Sequence, residues 1–254
     1  MRVTFLGTGT SGGVPMINCD CPVCRSTNPK NKRLRSSVMI EINDRFLLID
    51  TTPDMRQQFL RHRFPRIDAI LYTHAHADHI FGLDEIRRFN YLMKKRLPAY
   101  GNAATMQRLI KVFDYAFAAP EIEFQKGIPN LSAHVIEGPT EIFGIEVLPI
   151  PLIHGEQTIF GYRIENFAYC TDVNQIPEES YDLLKNLDVL VLDALREKRH
   201  PSHFSLGEAI TEARRIGARQ TYFTHISHIL EHNRHGQMLP KQMAFAYDGL
   251  ELEL

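Results

Sequence analysis

The sequence predicts a layered α/β fold in which two β-sheets pack face to face with helices on the outside. Three observations carry that prediction. Strand patterns outnumber helical ones yet are interleaved with them; they fall into two strand-rich halves, each followed by helices; and no linker, short repeat or low-complexity stretch separates the halves. One domain over residues 1–254 is therefore expected, long enough to bury a core without disulfides. With 44% hydrophobic and 23% charged residues and a net charge of −1, the composition excludes long disorder, collagen and coiled coil. It gives no global electrostatic reason to bind nucleic acid. The start of the chain lacks the charged and apolar regions of a signal peptide, and no run of about 18 apolar residues could span a bilayer. A cytoplasmic protein without a membrane partner is expected.

Residues 2–6 alternate as a strand and run into a loop, Gly7 to Pro15, whose glycines call for positive φ or close backbone approach. Strands at 36–42 and 45–50 meet at Asn43 and Asp44, a pair suited to a two-residue hairpin turn. Residues 54–62 read as a helix and 67–72 as a buried strand. Helical patterns recur at 82–93, 103–115, 178–186 and 205–217. Strand patterns recur at 131–137, 141–150, 158–165, 167–171, 187–192, 219–223, 242–246 and 249–253.

The strand at 67–72 delivers Thr73-His74-Ala75-His76-Ala77-Asp78-His79 to a loop at its C-terminal end. Three imidazoles and a carboxylate in six residues are costly as core or idle surface, whereas zinc, manganese or iron want this mixture of nitrogen and oxygen. His74 and His76, two apart, can reach one ion while Asp78 and His79 reach a second. Cys19, Cys21 and Cys24 place three thiols within six positions of a chain expected in a reducing compartment. Thiolates around one zinc are expected there, with a fourth ligand from elsewhere. Cys170 alternates inside a strand and reads as packing.

The H-x-H-x-D-H spacing resembles the signature of the metallo-β-lactamase-fold hydrolases. That resemblance implies an αββα four-layer sandwich with a dinuclear site in a cleft at one edge of the two sheets. It implies further ligands at strand ends: His154 after Leu152-Ile153, a bridging Asp172 after Cys170-Thr171, and His225 after Phe223-Thr224. One ion would take His74, His76 and His154, the other Asp78, His79 and His225, with Asp172 shared. Asp50, ending Leu47-Leu48-Ile49, matches an early aspartate that orients a ligand histidine through its other nitrogen.

The glycine loop, the cysteine segment and Thr224-His225-Ile226-Ser227-His228 together resemble the phosphoribosyl 1,2-cyclic phosphate phosphodiesterase family over residues 2–252. This resemblance implies a structural Zn2+ on Cys19, Cys21, Cys24 and His228, two active-site ions (Mn2+ or Zn2+) and a homodimer. The implied activity is hydrolysis of a small phosphodiester, such as a ribosyl 1,2-cyclic phosphate or a cyclic nucleotide, by a metal-bridging hydroxide. A leaving alkoxide needs a proton. His203 holds the family's catalytic position just before a helix, Asp78 is a second proton-exchange candidate, and His200 reads as a solvated loop residue.

Other segments are less pointed. The glycine loop lacks the G-K-[ST] ending of a P-loop and reads as backbone positioning, with phosphate contact as the lesser alternative. The basic run Lys30 to Arg35 reads as a solvated face or as a guide for an anionic substrate. Residues between His79 and His154, including the aromatic run Phe113 to Phe117, are expected to line the cleft. Competing activities share the ligand set. The tRNA 3′-end endonucleases typically carry a protruding basic arm with no counterpart here; thioester and lactam hydrolases direct the same hydroxide at a carbonyl. Pyrroloquinoline quinone B-type proteins share the glycine loop and cysteines but depart from the full ligand set.

Overall fold

The computed structural model describes residues 1–118 and 127–254. The first half holds β1 (Arg2–Gly7), α1 (Pro22–Arg25), β2 (Ser37–Ile42), β3 (Arg45–Ile49), α2 (Met55–His62), β4 (Ala69–Leu71), α3 (Ala77–Ile80), α4 (Ile86–Met93), β5 (Leu97–Gly101), α5 (Ala103–Val112), α6 (Asp114–Phe117) and β6 (Leu131–Val135). The second holds β7 (Thr140–Ile142), β8 (Ile145–His154), β9 (Gln157–Ile164), β10 (Phe167–Cys170), β11 (Val189–Asp193), α7 (Leu206–Ile216), β12 (Gln220–Thr224), α8 (His232–Gly236), β13 (Met243–Phe245) and β14 (Glu251–Glu253).

These strands form two seven-stranded sheets, ordered β14-β1-β2-β3-β4-β5-β6 and β13-β12-β11-β10-β9-β8-β7. Each sheet runs through three antiparallel pairings and then three parallel ones. The halves therefore repeat one plan, and β14 fills in the first sheet the place that β7 fills in the second.

Alternation along the strands sorts the core into layers. Val3, Phe5, Ile40, Leu47, Ile49 and Leu71 meet Val147, Tyr162, Ile164, Tyr169 and Val191 between the sheets. Leu6, Met39, Leu48 and Ile70 turn the other way and pack beneath Met55 of α2, Phe89 of α4 and Leu109 of α5. On the far side Leu152, Leu190, Leu192 and Phe223 pack against Ala209 and Ala213 of α7. Burial on both faces explains the near-continuous apolar runs. A buried Leu or Ile here contributes about 1.5–3 kcal/mol. The result is helix, sheet, sheet, helix, the four layers expected.

Some elements depart from expectation. The run 141–150 is two strands folded at Phe143 and Gly144, both at positive φ (54° and 79°), a hairpin without the Asn-Gly signature. β5 escapes the sequence patterns because Pro98 interrupts a buried Leu97, Ala99, Gly101 alternation. Residues 178–184 wind as a 3-10 helix rather than an α-helix. The histidine cluster is loop only as far as His76; Asp78 and His79 sit on the single turn of α3.

The glycine loop is a backbone crossing. A Cβ on Gly7 would lie 2.0 Å from the Arg35 carbonyl oxygen, and Gly9 bridges to both Arg35 and Ile226, beside His225. The basic run is not a solvated face. Arg33 is buried and donates to Thr8 Oγ1 (2.7 Å) and the Ala246 carbonyl (2.6 Å). Arg35 pairs with Asp54 at 3.0 Å, and Lys30 lies over the Tyr247 ring.

Candidate metal centre

Strand ends bring the predicted residues together. His74 and His76 follow β4, Asp78 and His79 ride on α3, His154 ends β8, Asp172 follows β10 and His225 follows β12. His74, His76 and His154 present nitrogen atoms within 4.8 Å of one another, and so do ligand atoms of Asp78, His79, Asp172 and His225. Asp172 faces both groups: its Oδ1 lies 3.4 Å from His79 Nε2, and its Oδ2 lies 3.3 Å from His225 Nε2 and 3.9 Å from His74 Nε2. Asp50, Asp172 and His225 all have left-handed backbone (φ 63°, 56° and 57°), uncommon for residues bearing a Cβ.

The residues fit a divalent cation. Nε2 of His74, His79 and His225 is buried and has no hydrogen-bond partner among the described residues. Leaving such a group unsatisfied costs about 1–3 kcal/mol, and here three converge on carboxylates. The opposite nitrogens of His79, His74 and His154 are tied down. His79 Nδ1 donates to Asp50 Oδ2 at 2.7 Å, and Asp50 also accepts the Thr73 N–H (2.9 Å) and O–H (2.8 Å). Thr73 Oγ1 in turn accepts from His74 Nδ1 at 3.0 Å, and His154 Nδ1 donates to the Ser202 carbonyl at 2.7 Å. Each tie holds the proton on Nδ1 and leaves the lone pair of Nε2 pointing inward.

The electrostatics agree. Burial opposes charge, yet the carboxylates of Asp172, Asp78 and Asp193 push His225 up to about 9. Against its own burial, Asp172 is held well below the usual carboxylate range by His225, His79 and His74. A second cluster joins the N-terminal loop to the segment after β12: Cys19 and Cys21 Sγ lie 3.2 and 3.4 Å from His228 Nδ1, with Cys24 Sγ also in reach. Despite partial burial, the Cys24 N–H and His228 draw the Cys21 thiol down to about 6, favouring the thiolate that metals bind.

A β-lactamase superfamily domain model matches residues 45–226. A solved structure described as a new diphosphatase from the PhnP family is similar over 100% of this chain and 97% of its own, at 45% identity and a TM-score of 0.92. The chain belongs to the PhnP family of the β-lactamase superfamily. The Zn2+-bound PqqB of Methylobacterium extorquens shares the fold over the full length of both chains, with a TM-score of 0.79 and 19% identity. Among curated proteins, an octanoyltransferase of Porphyromonas gingivalis is 35% identical over 257 residues. The match takes in 99% of this chain and 51% of that relative, so the chain spans about half the relative's length. The superfamily match, the diphosphatase relative and the histidine–aspartate clusters together support a metal-dependent hydrolase.

Two clefts flank the centre of this PhnP-family fold. One, of about 580 Å³, runs from His74 and His76 to Asn102, Arg108 and Gln157. The other, of about 370 Å³, is bounded by Asn174, Arg199, His200, His203 and Glu208. His203 stands where the second cleft meets the centre. Its ring stacks on that of His225 (4.7 Å, 11°) and meets His154 edge-on at 4.7 Å. Its Nδ1 donates to Asp193 Oδ2 at 2.8 Å.

Asp193 is absent from the sequence-derived set, although it closes the apolar run Val189 to Leu192 just as Asp50 closes Leu47 to Ile49. His200 is a loop residue, as expected, but a half-buried one, with its ring 5.1 Å from that of His203. Between His79 and His154 the first cleft takes Asn102, Thr105 and Arg108. Phe113 and Ala116 instead pack beneath the first sheet, and 119–126 lie outside the described residues. Cys170 is packing, as expected, its thiol pushed up to about 12 by burial. Among the described residues no helix is long and apolar enough to cross a membrane.

Proposed function

We propose that this protein is a dinuclear metal-dependent phosphodiesterase acting on a small, cyclic or similarly compact phosphate ester. The observation that carries this reading is the seven-residue set with Asp172 facing both groups of ligands. His74, His76 and His154 would hold one ion and Asp78, His79 and His225 the other. Cys19, Cys21, Cys24 and His228 would hold a structural zinc. Bound divalent ions lower the pKa of water and polarise phosphoryl oxygens.

The chain's own residues supply the rest. Asp50, through Thr73 and His79, fixes the tautomers of two ligand histidines. Asp193 fixes the proton of His203 on Nδ1, so that in its protonated form the ring can release the Nε2 proton toward the cleft. As the water oxygen bonds to phosphorus and gives up a proton to solvent, the bond from phosphorus to the leaving oxygen breaks, that oxygen takes the His203 Nε2 proton, and the neutral ring regains a proton from solvent. Clefts of 580 and 370 Å³ suit a small ligand. The diphosphatase description of the 45%-identical relative supports chemistry at phosphorus.

The test reloads metal-depleted protein with Mn2+ or Zn2+ and assays a ribose cyclic phosphate, a 2′,3′-cyclic nucleotide, an activated phosphodiester, a precursor tRNA and a thioester. Each is run beside His76→Ala. Hydrolysis of the phosphodiesters alone, lost in the variant, is expected. Activity confined to the thioester or to the tRNA overturns the proposal.

A further inference from the structure

We propose that Arg108 binds an oxyanionic group on the half of the ester that stays attached to phosphorus, and that this contact selects which P–O bond is broken. The inference rests on the phosphodiesterase reading above and adds a direction to it.

The two clefts differ in charge. In the second, Arg199 lies 3.2 Å from Glu208, and that carboxylate lines the same wall. A cation already balanced by a neighbouring carboxylate has little attraction left for an anion. In the first cleft, Arg108 is the one guanidinium or ammonium side chain, and no carboxylate lines it, among the described residues. Arg108 shares a helix face with Ala104 and Thr105, one turn below the start of α5. The wall is fixed: Asn102 Oδ1 accepts the Thr105 N–H at 2.8 Å while its Nδ2 donates to the Thr158 carbonyl at 3.2 Å, clamping α5 to β9. The Arg108 guanidinium is exposed in this groove, and a guanidinium matches the paired oxygens of a phosphate or phosphonate in a fork of two hydrogen bonds.

Direction follows from His203. The oxygen that departs must come to this histidine, so the leaving half lies in the second cleft. The half that keeps its bond to phosphorus is directed past His74 and His76, toward Arg108. Water oxygen bonds to phosphorus, the P–O bond on the His203 side breaks, and the phosphomonoester that remains is the part held by Arg108. A substrate with a second anion is thus favoured when the anion sits on the retained half and gains nothing when it sits on the leaving half.

Three synthetic diesters test this on the metal-loaded protein: 2-phosphonoethyl phenyl phosphate, its counterpart without the second anion, propyl phenyl phosphate, and propyl 4-(phosphonomethyl)phenyl phosphate, which carries the second anion on the leaving half. The first is expected to exceed the second in kcat/KM by about tenfold or more, mostly through KM, as one charged hydrogen-bonded contact provides. The third is expected to show no such advantage over the second. Arg108→Gln should bring the first ratio to about one, and Arg108→Lys should retain part of it. A wild-type ratio near one, a ratio that survives Arg108→Gln, or an equal advantage for the third diester overturns the proposal. Calorimetric binding of the first two diesters gives a readout without turnover. If no diester is hydrolysed but the first binds more tightly in an Arg108-dependent way, the phosphodiesterase reading falls and the anion site stands. Equal binding of the two removes the site itself.

Discussion

Asp50→Asn isolates the role of a residue that touches no ligand atom directed at the centre. The side chain is buried and accepts three hydrogen bonds, from Thr73 N–H, Thr73 O–H and His79 Nδ1. Asparagine tolerates the left-handed backbone at this position (φ 63°) better than alanine does, so the substitution tests charge and proton placement rather than chain geometry. Its oxygen can still accept the Thr73 N–H, but its NH2 then faces both Thr73 Oγ1 and His79 Nδ1. The imidazole must turn acceptor there, which moves its proton to Nε2, the nitrogen 3.4 Å from both Asp78 and Asp172. One inward lone pair is lost. Disrupting an outer partner of this type lowers metal affinity by about 10–100-fold, or roughly 1.4–2.8 kcal/mol. Chelator competition measures the affinity, and imidazole 15N shifts report which nitrogen of His79 carries the proton. Unchanged affinity, with the proton still on Nδ1, would refute the reasoning.

The other predictions concern separate parts of the molecule. Asp193→Asn should lower kcat on esters with alkoxide leaving groups by about 10²-fold or more, and far less on 4-nitrophenyl esters, which need no proton; equal loss on both classes argues against His203 as the donor. Cys24→Ser should remove one equivalent of zinc by elemental analysis and lower the melting temperature while sparing metal at the histidine-rich centre. Asp248, whose carboxyl burial pushes up to about 6 from 3.8, binds its proton more tightly folded than unfolded. Its contribution to stability is therefore full below about pH 4 and declines as pH rises to about 6, by roughly 3 kcal/mol. Chemical denaturation across that range should show the decline flatten in Asp248→Asn.

What could be read from sequence was what is local in sequence. His74 to His79 lie within six residues, so their convergence is visible without a fold. His154, Asp172 and His225 each look like any polar residue closing a strand, and only the resemblance joined them. Asp193 closes a strand in the same way but went unread because its partner, His203, is ten residues on and across a turn. Arg108 was invisible because its cleft wall arises from contact between α5 and β9, and no periodicity within either segment announces the other. The basic run misled for the opposite reason. Charge in sequence suggests surface, yet Arg33 is buried against Thr8 and Ala246, partners far away in the chain.

The left-handed backbone at Asp172 and His225 sets thermal endurance against activity at the same two positions. Each conformation costs a residue with a Cβ about 1–2 kcal/mol, and each side chain adds a buried charge or an orphaned nitrogen. Glycine would relieve all of this and empty the centre of a ligand. Heat selection without a requirement for turnover should therefore enrich glycine at 172 and 225 and yield hardier proteins that hydrolyse nothing.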